Sequence, residues 1–193
     1  MKTPILETSR LWLKPLKEED APGAFLWTGD PKVSWYMRYE THESLEDTKQ
    51  WLRAEENQLD SDLLYDFGFH KKDNDELIGS GGLTFNQQQG IWELGCNLRR
   101  DCWNQGYGTE AAAAILSFAE NTLHIHRVMA RRAKENTASG RVLEKNGFSF
   151  VRECWDQKWS GSHRFECREY IWKSEKEEEK NSAARTEVER CYD

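Results

Sequence analysis

The chain has 193 residues, a length that suggests one domain with a substantial core. Charged residues make up 32% of it, but 9 Trp, 8 Phe and 6 Tyr are too many aromatics for a disordered polymer. With 27 basic against 34 acidic side chains, the formal charge of -7 leaves no cationic surplus to neutralise a phosphate backbone, which argues against nucleic acid and leaves amine substrates open.

Ser9–Leu16 (SRLWLKPL) alternates as a first strand, and Lys17–Thr28 places acids ahead of apolar residues, as a helix start does. Ser44-Leu45-Glu46-Asp47 matches a capping box, and Leu45, Thr48, Leu52 and Leu59 share one face of the helix that follows, to about Asp60. Leu64–His70 and Leu77–Phe85 read as strands joined by the polar turn Lys71–Asp75, and after Gln87–Gly90 a third strand runs over Ile91–Leu98. Gly79-Ser80-Gly81-Gly82 lies inside a strand pattern and marks a bulge or a close backbone approach.

From Gly106 the period changes to that of a helix, with Ala112, Ile115, Leu116, Ala119 and Leu123 on one face. His126–Ala133 is a further strand, Thr137–Asn146 a helix closed by Gly147, and Phe148–Trp155 another strand. Trp159-Ser160-Gly161-Ser162 turns the chain into a last strand, Arg164–Trp172. The order β-α-α-β-β-β-α-β-α-β-β predicts an α+β fold, a mixed and mostly antiparallel sheet with helices on both faces. Residues 1–173 form the domain; 174–193, with seven acids against four bases and almost no large apolar side chains, form a charged tail, disordered or an exposed helix.

No stretch approaches the ~20 apolar residues of a membrane span, and Met1–Pro15 lacks the apolar core of a secretory signal, so a cytoplasmic protein with no membrane partner is expected. Cys96, Cys102, Cys154, Cys167 and Cys191 are odd in number and contain no C-x-x-C pair, which points to reduced thiols and to no metal site.

Trp103-Asn104-Gln105-Gly106-Tyr107-Gly108-Thr109-Glu110 sits between a strand and the best-defined helix. Without a Cβ at 106 and 108, backbone amides there can turn toward an anion at the positive end of the helix; a tight turn that binds nothing is the alternative. The segment lacks the lysine of a P-loop and the third glycine of a dinucleotide fold.

Together with Glu93-Leu94-Gly95, Glu135-Asn136-Thr137-Ala138-Ser139 and Glu144-Lys145-Asn146-Gly147-Phe148, in this order, the segment resembles the GNAT superfamily of N-acetyltransferases over about residues 7–172. The opening SRLWLKPLKEEDA and W-x-x-G-Y-G-T-E-A are most similar to the branch that acetylates the N-terminal amines of ribosomal proteins. One departure is Trp103, where the family usually carries Arg or Gln; an aromatic there is common in this branch, and it removes one possible cationic contact.

The resemblance implies a GNAT-type fold, acetyl-CoA as co-substrate, no metal, and an amine acceptor, a peptide N-terminus or a small molecule. The amides from Gln105 to Thr109 would hold the pyrophosphate, with Trp103 and Asn104 in the same loop. Cys96, Asn97 and Leu98 would pair with pantetheine, and Asn136 would contact the same arm. Arg141 and Lys145 would approach the 3'-phosphate, unless they only solvate their helix. Ser139 is the candidate donor of a proton to the departing thiolate, or an ordinary first-turn serine. Glu93 is the candidate base, or a charge on the solvent side of a β pair. Trp35 and Tyr36 stand for the acceptor side, where Trp27, Met37 and Tyr39 also gather, with helix packing as the alternative. A CoA-binding sensor without turnover remains the rival from another class. The family includes monomers and dimers, so either a monomer or a homodimer fits.

Overall fold

The computed structural model describes residues 2–177. Eight strands form one sheet: β1 (Leu6–Glu7), β2 (Leu11–Lys14), β3 (Leu64–Lys71), β4 (Leu77–Asn86), β5 (Ile91–Leu98), β6 (Arg127–Ala133), β7 (Ser149–Gln157) and β8 (Arg164–Lys173). Their spatial order is β1-β2-β3-β4-β5-β6-β8-β7, and every neighbouring pair is antiparallel except β5–β6. The helices are α1 (Ala21–Thr28), α2 (Pro31–Ser34), α3 (Leu45–Glu56), α4 (Tyr107–Asn121) and α5 (Thr137–Lys145). This is the mixed, mostly antiparallel α+β architecture that the order of elements predicts. The tail at 174–193 lies, beyond Glu177, outside the described residues.

Alternation along the strands separates two layers. Tyr65 and Phe67 point to α4, where both rings meet Phe118 edge-on at 5.4 and 5.9 Å. Ala112, Ile115, Leu116 and Ala119 of α4 are buried in that same cluster, as their spacing requires. On the other face Leu16, Ala24, Trp27, Leu52 and Leu77 form a second core under α1 and α3. The capping box holds: the Asp47 amide donates to Ser44 Oγ at 3.2 Å, and the Ser44 amide returns a bond to Asp47 Oδ2 at 2.9 Å.

Several boundaries differ from the sequence reading. The first strand is shorter, Leu11–Lys14, and folds back on β1 through Leu6↔Leu13. A 3-10 turn at Glu18–Asp20 precedes α1. Helix α3 stops at Glu56, so Leu59 lies beyond it, and Leu45 is exposed while Thr48 and Leu52 are buried. The glycine run in β4 is a close approach, since a methyl on Gly82 would collide with the Tyr65 carbonyl of β3.

The expectation of reduced thiols fails at one pair. Cys154 and Cys167 are register partners in the β7–β8 hairpin, 5.0 Å apart at Cα, and form a disulfide. Cys96 and Cys102 are free.

Candidate active site

The parallel pair β5–β6 joins only Trp92↔Val128, Glu93↔Met129 and Leu94↔Ala130. Beyond Leu94 the two strands part, and Gly95–Leu98 keeps β4 on one side with no strand on the other. Three predicted residues, Cys96, Asn97 and Leu98, therefore line a free backbone edge. Trp103 closes its far end, donating from Nε1 to the Leu98 carbonyl at 2.8 Å. Its indole thus fastens the loop to β5. The Cys96 thiol is pushed up to about 11, first by burial and then by the charge of Asp66, so it is no nucleophile at neutral pH.

Next along the chain, Asn104 (φ 59°) and Gly106 (φ 83°) both adopt left-handed backbone, which reverses the chain into α4. Gly106 is the N-cap and is exposed, so no side chain caps the first amides of α4. Arg10, in the β1–β2 turn, braces the loop from the side: it donates to the Gln105 carbonyl at 3.0 Å and lies over the Tyr107 ring at 4.4 Å. Its Nε binds Glu110 at 2.7 Å. Burial opposes the Glu110 charge, but hydrogen bonds from Thr8, Ser9 and Arg10 hold that carboxyl down at about 2.

Other loop groups are tied back to the protein. The Gln105 side chain donates to the Asp101 carbonyl at 2.7 Å, and the Thr109 carbonyl accepts from Asn146 at 3.3 Å. A methyl on Gly108 would meet Leu98 and Val142 at ordinary distances, so packing alone does not demand glycine there. Arg141 and Lys145 are exposed one turn apart on α5. Amides that no side chain caps, behind an exposed Gly106 and with a guanidinium beside them, fit a diphosphate.

Behind the free edge lies a cavity of about 660 Å³. Among the predicted residues it collects Glu93, Cys96, Asn97, Asn136, Ser139 and Tyr36. It does not collect Trp35, which is 55% exposed and stacks on His163 at 5.3 Å. Asn136 caps α5, its Oδ1 accepting from the Ser139 amide at 3.1 Å, so the cap role falls to Asn136 and leaves the Ser139 hydroxyl available. Register puts Glu93 opposite Thr84, and both line the cavity; Asn86 Nδ2 lies 3.5 Å from Glu93 Oε2.

Sequence reasoning missed four contributors. Arg10 is one. Lys158 is another: its buried ammonium donates to the Ser34 and Tyr39 carbonyls at 2.7 and 2.8 Å and, with Trp159 N–H on the Arg38 carbonyl, clasps the β7–β8 turn to the segment that walls the cavity. Asp66 and Glu55 also line it. Burial, and then Glu55, push the Asp66 carboxyl up to about 8; burial raises Glu55 against the hydrogen bond that Trp51 donates. Asp66 was legible in principle, because it alternates with Tyr65 and Phe67 and so must face away from α4.

Among the described residues no helix is long and apolar enough to cross a membrane, and no group of three or more His, Cys, Asp or Glu is placed to hold a metal ion.

Comparison with known proteins agrees with this geometry. The model of the acetyltransferase (GNAT) domain family matches residues 10–149. The uncharacterized N-acetyltransferase p20 of Bacillus licheniformis is 29% identical over 154 residues, 77% of this chain and 83% of that protein. The [ribosomal protein uS5]-alanine N-acetyltransferase of Escherichia coli is 32% identical over 85 residues, 42% of this chain and 43% of that protein. In fold, the chain is similar to RimL, the ribosomal L7/L12 alpha-N-protein acetyltransferase in complex with coenzyme A, with a TM-score of 0.74 and 15% identity over 88% of this chain and 98% of that one. A family match across most of a sheet that splays beside an uncapped helix N-terminus means that the chain belongs to the GNAT acetyltransferase family and is an acetyl-CoA-dependent N-acetyltransferase.

Proposed function

We propose that the chain moves the acetyl group of acetyl-CoA onto a primary amine, a protein N-terminal α-amine or a small-molecule amine, by direct attack in a ternary complex. The observation that carries this reading is a meeting of three features: the free edge at Gly95–Leu98, the uncapped start of α4, and a cavity that reaches the same edge from the other side. In it the Gln105–Thr109 amides hold the pyrophosphate, aided by Arg10, while Trp103 and Asn104 shape the loop. Arg141 and Lys145 face the 3'-phosphate. Cys96, Asn97 and Leu98 receive the pantetheine arm, and a β5 amide polarises the thioester carbonyl.

When bound, acetyl-CoA supplies an activated acyl carbon and a thiolate leaving group. Glu93 accepts the proton that the acceptor ammonium must lose, and Ser139 gives its hydroxyl proton to the thiolate as the C–S bond breaks and the C–N bond forms. Ser139 then regains a proton from solvent. Asn136 keeps Ser139 in place through the α5 cap. Tyr36 borders the acceptor, and Trp35 serves the mouth of the cleft through its stack with His163. An α-amine, with an ordinary pKa of roughly 7.7 to 8.0, asks less of a base than a lysine does, which favours the peptide N-terminus. The reading includes a cytoplasmic setting, in which reducing conditions would return Cys154 and Cys167 to thiols.

The test is an acceptor screen by mass spectrometry with acetyl-CoA supplied, across N-terminal peptides, polyamines and small amines. Acetylation of at least one, with release of free CoA thiol, supports the reading. CoA binding without release from any of them would favour a sensor.

A further inference from the structure

The β7–β8 hairpin leaves the sheet at a defined place. Strand β8 pairs with β6 as far as Ala133↔Cys167, and the Lys134 amide and ammonium, on Glu166 at 2.9 and 2.8 Å, are the next ties on that side. Past Cys167 no strand flanks either arm of the hairpin among the described residues: β7 is the edge of the sheet, and Trp155↔Glu166, Asp156↔Phe165 and Gln157↔Arg164 pair only with each other. The Cys154–Cys167 bridge lies at that point of departure. It ties the projecting arm at its root.

The tip of the arm holds the acceptor wall. Besides the Lys158 and Trp159 bonds to the Ser34, Tyr39 and Arg38 carbonyls, Asp156 Oδ1 faces Arg38 Nε at 3.4 Å, Ser162 Oγ donates to Glu40 at 2.6 Å, and Ser160 Oγ donates to the same carboxylate. Residues 36–42 wall the cavity, and Asp156, Trp159, Phe165 and Cys167 line it from the hairpin. The elements read as facing CoA, the free edge of β5, the start of α4 and α5, lie outside the hairpin. Cys167 is 1% exposed, but Cys154 is half-buried on the open edge strand, so a small thiol can reach its sulfur from solvent.

We propose that Cys154 and Cys167 are a reversible modification site for low-molecular-mass thiols and disulfides, and that the bridge sets affinity for the acceptor by fixing the hairpin arm against residues 34–40. In closing, the two thiols give two electrons and two protons to glutathione disulfide, which leaves as two glutathione molecules. In opening, a glutathione thiolate attacks Cys154 Sγ and Cys167 departs as a thiolate that takes a proton; a second glutathione thiolate then releases Cys154 in the same way and leaves as glutathione disulfide. The opened arm keeps its ladder but samples more positions, and the ordering of the wall then falls on acceptor binding. The consequence for the acceptor rests on the acetyl-transfer reading above; the control of the wall by the bridge does not.

The experiment places the full chain, with Cys191→Ser to keep that thiol out of the exchange, in glutathione buffers from fully reduced to fully oxidised. Intact mass after alkylation reads the bridge, hydrogen exchange by mass spectrometry reads residues 34–42 and 155–166, and calorimetry reads CoA binding. The bridge should open and close within the series, and opening should speed exchange in both segments at least about threefold. It should raise KM for a peptide with an N-terminal alanine at least about threefold while Kd for CoA stays within about twofold. Cys154→Ser, a mild change at a half-buried edge position, should behave as the opened protein in every buffer. A bridge that never forms or never opens, exchange at 34–42 or a KM that ignores it, CoA affinity that falls with it, or a Cys154→Ser protein that still answers to the buffer overturns the proposal. The two readings fail separately: wall exchange that follows the bridge without thiol release from any amine would sink acetyl transfer and keep the modification site, whereas thiol release with exchange and KM indifferent to the bridge would do the opposite.

Discussion

Gly106→Ala isolates the phosphate loop from general stability. At φ 83° and ψ -2°, the residue sits in the left-handed region, where an L side chain costs about 1 to 2 kcal/mol. The added methyl would approach only Arg10 Nη2, at 3.3 Å, the far end of a half-exposed side chain that can move aside. For a chain of this size the strain should lower Tm by about 2 to 8 °C. Relief of the strain rotates the first amides of α4 away from the anion, and each charge-assisted amide bond lost is worth about 1.5 to 3 kcal/mol, so Kd for CoA should rise about 10- to 100-fold. Gly147→Ala is the matched control. Gly147 has φ 80° at the end of α5, and its methyl would meet Trp172 at an unstrained 3.8 Å, so it should melt lower by a similar amount and bind CoA normally. Differential scanning fluorimetry and calorimetric CoA titration read both effects. A Gly106→Ala protein that melts lower but binds CoA as tightly as wild type, or a Gly147→Ala protein that loses equal affinity, would refute the amide cradle.

Glu110 offers a pH signature. Its carboxyl is held at about 2 against an ordinary 4.5, so its stabilisation is complete above pH 4.5 and is lost as pH falls toward 2. Allowing for screening at half-exposed Arg10, about 1 to 2 kcal/mol is at stake; Glu110→Gln should melt lower at pH 7 and show a flatter acid limb of Tm against pH over that window. Lys158→Met would leave the Tyr39 carbonyl unpaired and the Ser34 carbonyl with only the Met37 amide, at a net cost of about 1 to 3 kcal/mol, and should raise KM for the acceptor in steady-state assays while CoA affinity stays constant. Ser139→Ala should lower kcat about 10-fold or more with little change in KM, and Glu93→Gln should slow turnover mainly below about pH 8, where the amine arrives protonated; an unchanged pH–rate profile removes Glu93 as the base.

Local patterns in the chain carried most of the fold. Strand Ile91–Leu98 and the buried face of α4 follow directly from period and turn chemistry, because each is decided by neighbours within a few residues. The edges that moved were set by pairing and packing that the period does not show: β1 exists because Leu6 pairs with Leu13, and in α3 it is Thr48, Trp51 and Leu52 that meet the core, with Leu59 beyond its end. The disulfide was written in the register, since Cys154 and Cys167 are equidistant from the midpoint of the turn at 159–162, yet spacing alone suggested no bridge. At the site, the glycine loop and the splayed strand were readable as motifs. Arg10 reaching Gln105, Lys158 reaching Ser34, and Asp66 sharing a cavity with Glu55 were not, because each joins residues far apart in sequence that only the sheet order brings together.

Direct transfer is tested most sharply by initial rates of CoA thiol release with acetyl-CoA and a peptide acceptor varied together. Attack within a ternary complex, with no acetylated enzyme at Ser139 or Cys96, gives intersecting double-reciprocal lines and release that depends on the amine. Parallel lines with a burst of acetylated protein, or release that ignores the amine, would contradict it.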